Sequence, residues 1–170
     1  MRLAAPAALV FLMACAQPPA PGWTRHRLAG RFACDLPSAW KQADEEAVPG
    51  QVSFMGDDAA IRVRFHDPKS SFADAEAYLR DPAGAKDALE DPAASVAGRQ
   101  ARVFHRRYAL DLTGPEDAKP REEWIYESIV LVPASGGFWS LKFRRPSAPV
   151  AKPAGLDVFQ GFLKTFQPLN

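Results

Sequence analysis

The residues of this 170-residue chain that could do chemistry are two cysteines, three histidines and a recurring set of arginines and lysines. A thiol becomes a nucleophile when a neighbouring base or cation lowers its pKa. Cys34 lies in Arg31-Phe32-Ala33-Cys34-Asp35-Leu36, a strand-like stretch with no such context, and reads as a buried, inert side chain. Folding could still bring a histidine to it, which leaves a thiol hydrolase as a third-ranked alternative. His26, His66 and His105 are about forty residues apart, whereas metal sites need several converging ligands. His66-Asp67 is the nearest approach to a ligand pair, and its simpler reading is the end of a strand on a solvated face. Ser135-Gly136-Gly137 is not a Gly-x-Ser-x-Gly elbow. The chain carries no phosphate loop, dinucleotide fingerprint or Walker sequence. Glu122-Glu123 follows Arg121 and reads as a charge ladder rather than an acid/base pair. No catalytic residue, metal ligand or cofactor is assigned.

The cations are more informative. Arg62, Arg64, Arg102, Arg106, Arg107, Lys142, Arg144 and Arg145 all fall in expected strands. If those strands are neighbours, Arg62, Arg64, Arg102, Arg106, Lys142 and Arg144 form a candidate docking patch for an acidic partner or a lipid headgroup. The alternative is cross-strand pairing with Glu123, Glu127 and nearby aspartates, each exposed pair contributing little. Neutral overall charge favours pairing. Trp23, Trp40, Trp124 and Trp139 read as core anchors rather than a binding surface.

Cys15 has a different chemistry in view. Arg2 is the only charge in the first 24 residues, and Leu3 to Ala14 is an uncharged, mostly apolar run of twelve. A bilayer core of ~30 Å needs about 20 helical residues, so this run is too short to span one. A positive start, a short apolar stretch and small residues at its end are the layout of a cleavable export signal. Leu12-Met13-Ala14-Cys15 resembles the lipobox of bacterial lipoproteins, with Met13 larger than usual at its place. The resemblance implies acylation of Cys15 and a cut before it. Several acyl chains together make a lasting anchor. Ala16 behind the cysteine, in place of Asp, implies sorting to the outer membrane. The same residues also satisfy Ala-x-Ala through Ala14-Cys15-Ala16, which would release a soluble secreted protein beginning at Gln17. A third reading makes the segment an apolar tail.

Removal of residues 1–14 leaves 156 residues, enough for one domain with one core. The full chain has 21 Lys+Arg and 20 Asp+Glu, so losing Arg2 leaves it formally neutral. That argues against general affinity for nucleic acid or anionic lipid, which need surplus cationic charge. Residues 16–22, Ala-Gln-Pro-Pro-Ala-Pro-Gly, favour extended polyproline conformations and read as a tether before a single domain over 23–170.

The elements that must position these residues are mostly strands. Gln51 to Met55 and Ala60 to His66 flank the turn signal Gly56-Asp57-Asp58. Ile61, Val63 and Phe65 alternate with Arg62, Arg64 and His66, so period two puts the apolar and cationic sets on opposite faces. Arg99 to Leu112, Glu122 to Val132 and Phe138 to Arg145 can form an antiparallel meander. Trp124-Ile125-Tyr126 and Ile129-Val130-Leu131 suggest burial on both faces. Residues 113–120 form its polar loop, and Pro133 to Gly137 its turn. Ser71 is the expected cap of a helix through Arg80. A second helix after Pro153 aligns Leu156, Phe159, Phe162, Leu163 and Phe166 on one stripe, expected to cover a sheet. This order reads as α+β.

Two stretches resemble PsbP-like domains. Phe32-Ala33-Cys34-Asp35-Leu36-Pro37-Ser38-Ala39-Trp40 is similar to their opening strand, Leu-Pro and Trp, and Phe159 to Pro168 to their closing helix with its Thr165-Phe166. The resemblance covers about residues 23–168 and implies an α/β/α sandwich around an antiparallel sheet. It also implies protein binding rather than catalysis, with no shared functional residues to carry over. The expectation is therefore a non-enzymatic interaction module, lipid-anchored at Cys15 in the envelope and meeting a protein partner but no nucleic acid. The alternative is a carrier or sensor of a small apolar or lipid ligand, which the 18 aromatic residues would suit.

Overall fold

The computed structural model describes residues 18–28, 30–43, 48–114, 119, 121–148 and 153–169. Cys15, residues 16 and 17 of the expected tether, and residues 115–118 and 120 of the expected loop 113–120 lie outside them. Twelve elements follow in order: β1 (Trp23–Leu28), β2 (Phe32–Pro37), β3 (Lys41–Ala43), β4 (Gln51–Gly56), β5 (Ala59–His66), α1 (Ala75–Arg80), β6 (Leu89–Val96), β7 (Arg99–Asp111), β8 (Glu122–Ala134), β9 (Gly137–Pro146), α2 (Leu156–Thr165) and β10 (Gln167–Pro168). This is a sheet-rich α+β fold.

The main sheet has seven strands in the order β3-β4-β5-β9-β8-β7-β6, antiparallel throughout. A smaller antiparallel sheet has the order β1-β2-β10. The expected β4–β5 hairpin forms. Its turn residues Asp57 and Asp58 both have positive φ, 47° and 59°, the twist that a two-residue hairpin loop needs. The β7-β8-β9 meander also forms, with Ser135-Gly136 turning β8 into β9.

Alternation along the central strands divides the core into two clusters on opposite faces. Val130 and Val132 of β8, with Trp139, Leu141 and Phe143 of β9, join a cluster that includes Phe32, Cys34 and Leu36 of β2. Phe159 and Phe162 of α2 complete it, and Phe159 stacks on Phe143 with centroids 5.6 Å apart. Ile129, Leu131 and Phe138 point the other way, into a cluster with Phe104, Phe72 and Tyr78. Residues 125–132 are therefore buried without interruption, as their composition suggested. Trp40 and Trp139 are core residues, whereas Trp124 is exposed. The Trp40 ring lies so close over Gly56 that a Cβ there would collide with it.

Besides that of Trp124 as a core anchor, two expectations need correction. α1 begins at Ala75, not after Ser71. Its cap is Asp74, whose Oδ1 accepts from the Ala77 N–H at 2.7 Å. Phe72 is instead a core residue of the approach to the helix. His66, expected on a solvated face, is 1% exposed because Phe72, Tyr78 and Phe138 surround its ring.

Candidate functional site

All six candidate patch residues fall on one face of the main sheet, the face that also carries Phe104 and Phe138. Register decides this. Arg62 lies opposite Lys142, and Arg64 opposite Ser140. Arg102 lies opposite Leu131, Arg106 opposite Glu127, and Glu127 opposite Arg144. Arg107 and Arg145 have the other parity and face away.

Part of the set is paired. Glu127, 2% exposed, is the buried acid of this face. Arg106 binds it through Nε at 2.8 Å and Nη2 at 2.7 Å, and the Tyr108 hydroxyl donates to its other oxygen at 3.1 Å. Lys142 Nζ is 3.9 Å from the same carboxylate and donates to the Gly84 carbonyl at 3.3 Å. Arg102 bridges Glu90 of β6 and Glu76 of α1, at 2.9 and 2.6 Å. Sequence spacing pointed to Glu127 but not to Glu76 or Glu90, whose approach depends on the path of the chain through α1 and the edge strand.

Arg64 and Arg144 are held differently. Among the described residues no carboxylate pairs with Arg64, and Arg144 packs its guanidinium 6.0 Å over the Tyr108 ring. Burial lowers the pKa of Lys142, and Arg106, Arg62 and Arg144 lower it further against the pull of Glu127. Burial, with Arg64 and Lys142 adding to it, also takes His66 down to about 4, so its ring is neutral at physiological pH. Its Nε2 meets Ser140 Oγ at 2.9 Å, and burial pushes the adjoining Tyr78 hydroxyl up to about 12.

The cysteine and the remaining histidines lie elsewhere. Cys34 is fully buried, and burial raises its thiol to about 12. Register does bring His26 directly opposite it. Burial lowers the His26 pKa, so in both members of that pair it disfavours the charged form. His105 Nδ1 contacts Asp91 at 2.8 Å. Asp67, beside His66, is exposed and accepts from the Lys69 N–H. Among the described residues, no three His, Cys, Asp or Glu side chains converge as a metal site would require.

A cavity of about 340 Å³ opens where the two sheets meet, lined by Phe32, Phe65, Trp139 and Pro168 together with Arg31 and Arg99. Sequence reading gave no hint of it, because its walls come from six strands scattered along the chain.

No family model matches the chain, and no curated protein matches it in sequence. The fold is similar to that of a crystallised protein from Bacteroides thetaiotaomicron VPI-5482, with a TM-score of 0.51 and 10% identity. That match covers 82% of this chain and 45% of the other, so the chain spans less than half of its neighbour's length. It shows a shared fold. A more distant neighbour is LpqN of Mycobacterium tuberculosis, described as involved in cell envelope biogenesis. There the TM-score is 0.42 and the identity 15%, over 87% of this chain and 91% of that one. Among the described residues no helix is long and apolar enough to cross a membrane.

Proposed function

We propose that the protein is a lipid-anchored module of the bacterial cell envelope that works by binding an acidic partner protein, not by catalysis. The cationic sheet face carries this reading: Arg62, Arg64, Arg102, Arg106, Lys142 and Arg144 share that face with the buried carboxylate of Glu127. Surplus charge on one face of a formally neutral domain orients an encounter and selects its partner by sign. The protonated Cys34 thiol supports binding over thiol chemistry, and wild-type activity in Cys34→Ala would dispose of the hydrolase alternative. The lipobox-like Leu12-Met13-Ala14-Cys15 and the Pro-rich residues behind it support a tether, on the periplasmic side of the outer membrane. Antiparallel strands with core clusters on both faces support the PsbP-like sandwich.

Incorporation of labelled fatty acid tests the anchor. The wild-type chain should take up label and Cys15→Ser should not. Equal labelling of the two would leave soluble secretion as the better account.

The 340 Å³ cavity favours a second reading, a carrier of a small apolar ligand, since three aromatic side chains line it. Native mass spectrometry of the purified chain should then show a co-purified ligand, and repeated empty spectra would count against it.

A further inference from the structure

The cavity of about 340 Å³ between the two sheets shares none of the six candidate patch residues. Phe65 of β5 and Trp139 of β9 line it from the main sheet, Phe32 of β2 and Pro168 of β10 from the smaller one. Arg31, just before β2, and Arg99, the first residue of β7, complete the set. We propose that this cavity binds a small amphipathic acid, an apolar body that carries one anionic head group. The proposal rests on the carrier reading of the same cavity and deepens it by fixing the sign of the ligand's head. It is independent of the cationic face and of the lipid anchor.

The apolar half of the ligand follows from the aromatic wall. Trp139 packs against Phe65 with ring centroids 5.1 Å apart, and edge-on against Phe32 at 5.8 Å. Phe166, buried behind them, contacts both Phe32 and Trp139. These rings are fixed by the core, so an apolar body meets a surface that needs no ordering on binding. Backbone rather than side chain borders the cavity at Gly30 and Gly50. Both have positive φ, 69° and 79°, and no atom stands within 4 Å of where a Cβ would lie. At about 340 Å³ the cavity lies at the lower end of ligand pockets, which suits one medium-length chain or ring system rather than a two-chain phospholipid.

The anionic half follows from the two arginines. No aspartate or glutamate is among the described residues that line the cavity, and none of the described carboxylates pairs with Arg31 or Arg99. The Arg99 guanidinium is held in place by one bond, from Nη1 to the Pro133 carbonyl at 2.6 Å. Its Nε and Nη2 donors remain for a ligand. Arg31 is exposed, and its side chain is not tied down by a hydrogen bond within the described residues. Guanidinium forks bind the oxygens of an acid group with paired N–H bonds. A neutral amphiphile would leave that charge unmatched, and a cationic one would be repelled.

Calorimetric titration of the full chain in phosphatidylcholine nanodiscs, with chain-free discs as the blank, tests the site. Decanoate and decyl phosphate are the probes, with decanol and decyltrimethylammonium as neutral and cationic counterparts. Saturable binding of an acid is expected, at least tenfold tighter than that of decanol and absent for the cation. Arg31→Gln and Arg99→Gln should each weaken acid binding at least fivefold while leaving decanol binding as it was, which also shows the cavity intact. Arg64→Gln, on the cationic face, should change neither. Tighter binding of decanoate would identify a carboxylate head, and tighter binding of decyl phosphate a phosphate head. Equal binding of the acids and decanol, or equal acid binding in the wild type and both cavity variants, overturns the proposal and leaves the carrier reading standing. No saturable binding of any probe overturns both.

Discussion

Glu127 is the residue on which the cationic face turns. It holds Arg106 and faces Lys142 from a site with almost no solvent, so its loss leaves buried positive charge uncompensated. Breaking a buried pair in this way costs about 3 kcal/mol or more. Glu127→Gln should lower unfolding stability by that amount in urea, and a loss below about 1 kcal/mol would mean the carboxylate is dispensable. His66 gives the face a pH signature. Its native pKa of about 4 lies below the ordinary value of about 6.5, so the unfolded chain takes up the proton first as pH falls. Stability is unaffected above pH 6.5 and should fall by about 3 kcal/mol between 6.5 and 4. His26, also lowered, acts with the same sign. Denaturation midpoints followed against pH should therefore decline less steeply in His66→Gln, and identical slopes would remove His66 from the account. For Cys34 the expectation is chemical. Iodoacetamide at pH 8 should leave it unmodified in the native chain and alkylate it in urea, as read from the Cys34 peptide by mass spectrometry.

At the scale of elements, the cap of α1 separates what spacing can show from what it cannot. Asp74→Ala should cost about 1 kcal/mol, whereas Ser71→Ala should change stability little. Equal losses would restore the earlier start that spacing suggested. Both residues are capping types at the edge of one periodic stretch, so the choice depends on Phe72 entering the core and pulling Ser71 out of the helix. The central strands were legible because alternation and β-branched runs carry burial directly. Ile61, Val63 and Phe65 against Arg62, Arg64 and His66 is the plainest case. β1 and β6 were not. Both lie at sheet edges, where one side meets water and the apolar pattern fades. β6 also contains Pro92, which its register accommodates with an irregularity between Asp91 and Ala94. Its turn, Ala97-Gly98, lacks the usual Asn or Asp although Ala97 sits at φ 52°. Replacing Ala97 with Gly should therefore stabilise the hairpin by up to about 1 kcal/mol, seen as a higher denaturation midpoint.

On the scale of the whole molecule, the antiparallel sheet works as a divider. One face is closed by β2 and α2 around a phenylalanine-rich core, which fixes the strands' register without regard to the other face. The other face is then free to hold charge, with Glu127 and the α1 segment limiting how much of it is neutralised. The patch was legible as a parity rule along β5 and β9. Its pairing with Glu127 was legible too, as the cross-strand alternative, but the share taken by Glu76 and Glu90 was not, because they reach it only through tertiary structure. An acylated Cys15, as proposed, would hold the domain at a membrane, so a partner would be met there rather than in free solution. Affinity purification from detergent-solubilised membranes tests that claim most directly, comparing the wild-type chain, an Arg62→Gln/Arg64→Gln variant and a lipobox-only control. The account predicts an acidic protein enriched by the wild type over the control and lost from the double variant. Equal recovery with the double variant, or no enrichment over the control, would contradict it.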